Sequence, residues 1–257
     1  MRYPLILVLA LLPLLPSKAP KIRFGGTFIG AVVVDDGIII ASDTRSTFID
    51  DTGKQFGYID GTPKVFAQSG IAFAVSGLSS ISGELFNSFL SRNEYLLDRP
   101  VNEILLGVML GLPFKNSTNV LLISAGFSNG QPLICGKNPT DPQLCRSEGF
   151  ITNRPSNSLS RWLVSKNGVT PKAEDAAAAM HQAILESSDL DTTVGGPISI
   201  LHVRKTGSPL WLENPPQDHG WKTVCDIVSD YRKGSVRILF TSSKGELDRN
   251  LNATCPF

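Results

Sequence analysis

The chain has 257 residues, of which 42% are hydrophobic and 18% are charged, so it can form a sizeable core and wholesale disorder is excluded. Its 24 Lys and Arg residues balance 23 Asp and Glu residues, and the net charge of +1 gives no reason to expect a nucleic-acid partner. One long apolar run stands near the N-terminus, and this pattern excludes a polytopic membrane protein.

The N-terminal residues have the pattern of a secretory signal. Arg2 precedes an apolar stretch over residues 4–16, and the small residues Ser17 and Ala19 follow it. This pattern predicts a signal peptide over residues 1–19. The mature protein is then secreted or periplasmic and has no stable membrane span. An uncleaved anchor or an apolar pro-segment is the alternative.

In the first half of the chain, we predict two hairpins followed by two helices. Strand-forming runs flank one turn at 35–37 and another at 68–70. Apolar residues at helical spacing follow them. The predicted elements are strands over 28–34, 38–42, 65–67 and 71–75, and helices over 79–91 and 101–110.

In the second half, strands are predicted on both sides of one helix. Thr170-Pro171 is a good N-cap and first position for a helix over Lys172–Ser187. The predicted strands cover 119–125, a segment ending at 135, and then 197–204, 210–213, 223–228 and 235–241. Helices grouped between hairpin-connected strands indicate a layered α+β sandwich.

The four cysteines agree with export, because disulfides persist in oxidising compartments. They are Cys135, Cys145, Cys225 and Cys255, and none forms a C-x-x-C pair. With only scattered histidines, no metal site or cofactor is predicted. Three pairings are open; Cys135–Cys145 would close a loop and Cys225–Cys255 would hold the C-terminus. Four buried thiols in a cytosolic protein are the alternative.

Several short motifs follow one another in a fixed order after the predicted signal. A Gly-Thr pair at 26–27 leads through two apolar strands and a D-G turn into D-x-R-x-T at 43–47. Thr62-Pro63-Lys64, then Ser76-Gly77, then a segment from Asp191 to Gly196 come later. This order resembles that of proteasome β-type subunits, which are N-terminal nucleophile (Ntn) hydrolases. The resemblance implies a four-layer αββα sandwich of antiparallel sheets, with a propeptide over 20–26 and one Ntn-hydrolase-like domain over 27–257.

The resemblance implies that Thr27 is the nucleophile of a threonine-type peptidase or amidohydrolase. A hydroxyl needs a base at neutral pH, and a free α-amine, with a pKa of about 7.7–8.0, can supply one. Thr27 therefore has to become the first residue, through attack of its own hydroxyl on the carbonyl of Gly26. While the Gly26–Thr27 bond is intact, that base is missing.

Roles for other residues follow from the same resemblance. The expected catalytic residues are Lys64 beside the nucleophile, Asp43 holding Lys64, Gly77 as oxyanion donor and Asp191 orienting the amine. Two supporting residues are Arg45, which would brace the framework, and Thr47, whose backbone would pair with an extended peptide. A pocket for a small or apolar side chain would be lined by Ser46, Thr62, Phe66, Val75 and Ser79. Each also has an ordinary structural interpretation, such as an exposed ion pair, an edge-strand lysine or a turn glycine.

The chain departs from the family pattern around the expected amine. Val194 stands where the family usually has Ser. Ser156 and Ser158 are the candidates for the family's S-G-S stretch. An expansion between Arg45 and Lys64 falls on a predicted loop over 48–58, which would alter the rim of the site.

Two further functions stay open beside the hydrolase. One is an inactive secreted protein that uses the same fold to bind a partner. The other is an Ntn amidase that acts on a small-molecule amide. The expected partners are a peptide or amide substrate and further copies of the chain in an oligomer or ring.

Overall fold

A computed structural model describes residues 23–50, 52–68, 70–77, 80–81, 84–111, 120–217 and 219–255. The predicted signal peptide and the first residues of the predicted propeptide lie outside this range. The described strands are β1 (Arg23–Gly25), β2 (Ile29–Val34), β3 (Gly37–Asp43), β4 (Ser46–Ile49), β5 (Gln55–Ile59), β6 (Val65–Gln68), β7 (Ile71–Ser76), β8 (Ser80–Ile81), β9 (Glu84–Leu85), β10 (Leu121–Ser128), β11 (Gln131–Lys137), β12 (Leu144–Arg146), β13 (Phe150–Thr152), β14 (Ile198–Arg204), β15 (Leu210–Glu213) and β16 (Leu239–Phe240).

The described helices connect or cover these strands. They are α1 (Phe86–Arg92), α2 (Val101–Gly111), α3 (Asn157–Ser165), α4 (Ala173–Leu190), α5 (Val224–Arg232) and α6 (Lys244–Thr254), with a short 3₁₀ turn at Glu94–Leu96. None of the helices in the described ranges is both long and apolar enough to cross a membrane.

Two antiparallel sheets form the centre of the fold, with strand orders β13-β2-β3-β14-β15 and β12-β11-β10-β7-β6. Successive side chains of a strand point to opposite faces. In β2, Ile29 and Ala31 therefore pack between the sheets, whereas Val32 and Val34 pack against helices. Because both faces are covered, β2 and β3 are buried along their whole length.

Helices cover the outer faces of both sheets. Leu159 of α3 and Met180 of α4 belong to the apolar cluster on the outer face of β2 and β3. Phe86 of α1 and Ile104 of α2 pack against β7 and β10 of the other sheet. The layer order is helix, sheet, sheet, helix, so the predicted α+β sandwich of four layers is confirmed.

A third sheet has the order β1-β4-β5-β16, with α5 and α6 packed against it. Its core includes Phe48, Phe56, Ile227 and Leu247. One edge of this sheet is the segment just before Thr27. The other edge comes from the C-terminal part of the chain.

Two disulfides pair all four cysteines. Cys135–Cys145 joins β11 to β12, and Cys225–Cys255 joins α5 to the residue after α6. This is the pairing in which one bridge closes a loop and the other holds the C-terminus. The alternative of four free thiols is wrong. Two disulfides fit an extracellular location.

The sequence-based assignment of several elements is wrong. The predicted helix over 79–91 begins only at Phe86, because residues 80–85 contribute the short β8–β9 pair. The predicted strand over 223–228 is α5, whose N-terminus is fixed by a capping box between Thr223 and Asp226. Of the predicted strand over 235–241, only β16 is present. The sequence does not predict the helices α3 and α6. The predicted loop over 48–58 contains the second half of β4 and most of β5.

Candidate active site

Thr27 occupies the connection between two sheets. β1 of the third sheet ends at Gly25, and β2 of a central sheet begins at Ile29. Thr27 is only 2% exposed, yet it lines a cleft of about 550 Å³. The other residues lining this cleft are Gly26, Ile49, Ser76, Gly77, Val120, Leu121, Asn138, Thr152, Asn153, Arg154 and Thr193.

A buried ion pair joins the end of β3 to the residue before β6. Nζ of Lys64 lies 3.3 Å from Oδ1 and 3.2 Å from Oδ2 of Asp43, and both side chains are fully buried. The carboxylate also accepts backbone N–H bonds from Phe28 (2.7 Å), Arg45 (3.1 Å) and Gly195 (3.0 Å). Burial raises the pKa of Asp43 and lowers the pKa of Lys64, and the attraction between the two charges opposes both shifts.

The carbonyl oxygen of Gly26 is contacted from two sides. Nζ of Lys64 donates to it at 3.2 Å, and the Thr27 hydroxyl donates to the same oxygen. A cation at a carbonyl oxygen stabilises the negative charge that develops when a nucleophile adds to the carbon. The Gly26–Thr27 peptide bond therefore has a hydroxyl and a cation at its carbonyl.

The backbone at Gly26 excludes other residues. Its φ is +78°, in the left-handed region that L side chains rarely adopt. A Cβ added here would lie 2.3 Å from Cβ and 2.6 Å from the carbonyl oxygen of Thr193. Glycine is thus required on both conformational and steric grounds.

Residues before Thr27 form a strand on β4. β1 runs antiparallel to β4, with Gly25 opposite Thr47, Phe24 opposite Phe48 and Arg23 opposite Ile49. Thr47 was expected to pair its backbone with an extended peptide. In the structure, the peptide paired with this strand is the segment that precedes Thr27.

Arg45 makes framework contacts beside the ion pair. Its guanidinium binds both carboxylate oxygens of Asp60, at 2.8 and 3.1 Å, and lies 3.7 Å above the centre of the Tyr58 ring. It also donates to the carbonyl of Thr192 at 3.2 Å. These contacts join β4 and β5 to the segment after α4.

Asp191 reaches Thr27 through another side chain. Its Oδ2 lies 2.5 Å from an Nη of Arg154, and its Oδ1 accepts the backbone N–H of Thr193 at 2.8 Å. Nε of Arg154 donates to the carbonyl of Thr27 at 3.1 Å, and Asn153 donates to the same oxygen at 2.8 Å. Burial alone would raise the pKa of Asp191, but the hydrogen bonds from Thr193 and Arg154 outweigh it and hold the pKa below its ordinary value.

Sequence reasoning did not assign Asn153 and Arg154. The sequence offers only Ser156 and Ser158 as candidates for the S-G-S stretch of the family. Ser156 instead caps α3, and its hydroxyl lies 3.0 Å from that of Ser158. Val194 packs in the apolar cluster beneath α4. No strand is predicted over residues 150–152, so the Asn-Arg pair carries no local signal of a place beside Thr27.

The predicted pocket residues do not line the cleft at Thr27. Ser46 is fully buried, and Phe66 and Val75 belong to the apolar cluster under α1 and α2. Thr62 borders a separate small pocket that also includes Trp221. Ser79 lies outside the described residues. Gly77 does line the cleft, with a φ of +74°.

In the described part of the chain, no cluster of three or more His, Cys, Asp or Glu side chains could hold a metal ion. The three histidines are separated: His181 lies beside Glu213, His202 is in β14, and His219 stacks on Trp221.

The sequence matches no protein-family model and no curated protein. Among solved structures, the fold is similar to that of the Anbu (Gly-1) mutant from Hyphomicrobium sp. strain MC1, a proteasome-related protein of the Ntn-hydrolase type. The TM-score is 0.53 and the sequence identity is 13%, over 82% of this chain and 97% of that chain. A likeness at this identity concerns the fold alone. The chain therefore has a distant proteasome-like fold.

Proposed function

We propose that the protein is a threonine-dependent amide or peptide hydrolase that activates itself by cutting the Gly26–Thr27 bond. The observation that carries this proposal is the double contact at the Gly26 carbonyl, where the Thr27 hydroxyl and the Lys64 ammonium meet the same oxygen. The pairing of the preceding strand with β4 supports it, because an extended peptide bound in this way presents its next carbonyl to Thr27.

Self-cleavage proceeds in two steps. Oγ of Thr27 adds to the carbonyl carbon of Gly26, and Lys64 stabilises the charge on the oxygen. The proton released by the Thr27 hydroxyl passes, directly or through one water, to the Thr27 nitrogen, and the C–N bond breaks to leave a free amine and an ester between Gly26 and the Thr27 side chain. Water hydrolyses the resulting ester, which gives a Gly26 carboxylate and restores the Thr27 hydroxyl. The chain now begins at Thr27 with a free α-amine.

The freed amine supports hydrolysis of other substrates. It accepts the hydroxyl proton, directly or through one water, and later returns a proton to the leaving amine. The Lys64–Asp43 pair supplies a fixed cation near the nucleophile, and the N–H of Gly77 donates to the oxyanion. One such donor is worth about 3–4 kcal/mol in the transition state. The substrate strand takes the position of β1 on β4.

The protein acts outside the cytoplasm as a secreted or periplasmic enzyme, by itself or in an oligomer or ring of identical chains. Its disulfides and its N-terminal sequence support export. It is a distant, exported relative of proteasome β-type subunits.

Intact-mass analysis of three exported proteins tests this function. The parent chain and Thr206→Ala should both be recovered starting at Thr27. Thr206 is exposed in the turn after β14 and serves as the matched control. Thr27→Ala should keep residues 20–26. If Thr27→Ala is also cleaved before residue 27, Thr27 is not the nucleophile of this cleavage.

Intact mass together with hydrolysis assays on peptides and small amides separates the two alternatives. A parent chain with an intact Gly26–Thr27 bond would favour a binding protein. A free Thr27 with activity on small amides but none on peptides would favour a small-molecule amidase.

A further inference from the structure

Two side chains from one turn hold the backbone of Thr27. The carbonyl oxygen of Thr27 accepts bonds from Asn153 Nδ2 at 2.8 Å and Arg154 Nε at 3.1 Å. The other end of the Asn153 amide, Oδ1, accepts the backbone N–H of Ile29 at 2.8 Å. Asn153 thus bridges two backbone groups on either side of Phe28.

The turn that carries these side chains is itself fixed at both ends. The backbone N–H of Asn153 donates to the carbonyl of Ile29 at 3.2 Å, which continues the pairing of β13 with β2. The hydroxyl of Thr152 donates to the carbonyl of Arg154 at 2.7 Å. Two residues later, Ser156 caps α3. Asn153 and Arg154 therefore act from a rigid position.

Arg154 also connects Thr27 to the segment after α4. One guanidinium nitrogen binds Asp191 at 2.5 Å, and another lies 3.5 Å from the hydroxyl of Thr193. Among the described residues that line the cleft, Arg154 carries the only charge. Its side chain is 29% exposed and that of Asp191 is 32% exposed, so both charges of this pair are partly accessible to solvent.

These contacts become more important once the chain begins at Thr27. Cleavage removes β1 and Gly26, and a terminal residue without other contacts frays. The remaining anchors are the carbonyl of Thr27, held by Asn153 and Arg154, and the N–H of Phe28, which donates to Asp43 at 2.7 Å. Together they set the direction of the Thr27 side chain and of its nitrogen.

We propose that Arg154, assisted by Asn153, is a positioning residue that fixes Thr27 for self-cleavage and for later hydrolysis. This inference rests on the proposed function. It adds to that function the two residues that would hold Thr27 in place of the serines found around the amine in the family pattern. Asp191 acts on Thr27 through Arg154.

The charge of Arg154 has a second consequence for the free amine. The charged side chains that face Thr27 from the elements around it are Arg154, Asp191, Lys64 and Asp43. A neighbouring cation disfavours the protonated amine, so Arg154 lowers the pKa of that amine and Asp191 opposes the effect. Removal of the guanidinium should therefore raise the pH at which the amine becomes a base.

The first test is the rate of self-cleavage, followed by intact mass on the full chain. Arg154→Gln removes the positive charge and the guanidinium that binds both Thr27 and Asp191. Asn153→Asp keeps a side-chain oxygen that accepts the N–H of Ile29 but removes the N–H that donates to the carbonyl of Thr27. Arg154→Gln should convert about 10- to 100-fold more slowly, the effect of one charge-assisted hydrogen bond on a rate, and Asn153→Asp, which removes a neutral hydrogen bond, should convert about 3- to 10-fold more slowly. Arg161→Gln is the matched control, since Arg161 is exposed on α3 and bonds only to Asn157 in the described structure.

The second test separates positioning from a general loss of structure. After incubation to complete cleavage, the pKa of the Thr27 amine is measured by competitive acetylation with acetic anhydride across pH. Arg154→Gln should raise this pKa, whereas Arg154→Lys should leave it near the parent value although cleavage is slowed. Thermal midpoints of all variants are recorded to detect unfolding.

The outcomes distinguish this inference from the function on which it rests. If the parent chain does not cleave, the proposed function fails, and this inference fails with it. If the parent chain cleaves and both Arg154→Gln and Asn153→Asp match Arg161→Gln within about twofold, only the inference is overturned. If Arg154→Gln cleaves more slowly but the pKa of the Thr27 amine is unchanged, the claim that the Arg154 charge lowers this pKa is overturned.

Discussion

Lys64→Met tests the buried ion pair and its contact with the Gly26 carbonyl. Lys64 donates to Asp43 and to the carbonyls of Gly26 and Arg45, and its side chain has no exposure. Removal of one partner of a buried pair leaves an uncompensated charge and costs about 3–5 kcal/mol in the free energy of unfolding. Self-cleavage should stop, because the cation at the scissile carbonyl is lost.

The double variant Lys64→Met/Asp43→Asn separates stability from chemistry. Replacing both charges of a buried pair is far less costly than removing one. The double variant should regain most of the lost free energy of unfolding and still fail to cut after Gly26. Urea unfolding at pH 7 gives the stabilities, and intact mass gives the cleavage.

The pH dependence of Lys64→Met has a definite sign. Burial raises the pKa of Asp43 above its ordinary value of 3.8, and Lys64→Met removes the main cation that opposes that rise. The folded state is then penalised wherever Asp43 is ionised. The stability deficit should be largest above the raised pKa and should shrink as pH falls towards 3.8.

Two results would refute this reasoning. A loss below about 1 kcal/mol in Lys64→Met would mean that the pair behaves as an exposed one. Cleavage of the stable double variant at the parent rate would mean that Lys64 has no part in the reaction at Gly26.

Three further predictions concern the cleavage residue Gly26, the Cys225–Cys255 disulfide and the Asp191 carboxylate. Gly26→Ala should block self-cleavage in an intact-mass assay, because its Cβ would overlap Thr193 at a positive φ; conversion at the parent rate would contradict this. Replacing Cys225 and Cys255 by Ser should lower the free energy of unfolding by about 3–4 kcal/mol, since the bridge spans 30 residues; a loss under about 1 kcal/mol would show that it constrains little. Asp191→Asn should cost less than about 1 kcal/mol at pH 7. The pKa of Asp191 is lowered in the folded state, so this deficit should vanish as pH falls through it, and a deficit that persists at lower pH would contradict the assignment.

The strands of the central sheets were predictable because their runs of apolar residues agree with their burial on both faces. β2 and β3 are apolar on both faces, and the two-residue turn Asp35-Asp36 separates them, so the strand boundaries could be predicted closely. β15 over Leu210–Glu213 was predicted residue for residue.

The C-terminal region was less predictable because its β-branched residues pointed to strands. The run from Thr223 to Val228 forms a helix instead, as the capping box with Asp226 and burial of Ile227 against the third sheet outweigh strand propensity. α6 has few apolar residues, of which Leu247 and Leu251 are buried, so its periodicity was too sparse to detect.

Part of the candidate site was also accessible from the sequence. The order of the motifs predicts Thr27, Asp43 and Lys64 as site residues. In the structure, Lys64 contacts both Asp43 and Gly26. The roles of Asn153 and Arg154 could not be found in this way. They depend on how β13 pairs with β2, and this long-range pairing has no local sequence signal.

The N-terminal residue of the mature, exported protein is the most direct test of the whole account. Intact mass together with N-terminal sequencing would identify it. The account predicts a chain that begins at Thr27 and therefore carries the free amine on which hydrolysis depends. A chain that begins at Pro20, with the Gly26–Thr27 bond intact, would contradict the account and leave the binding-protein function in its place.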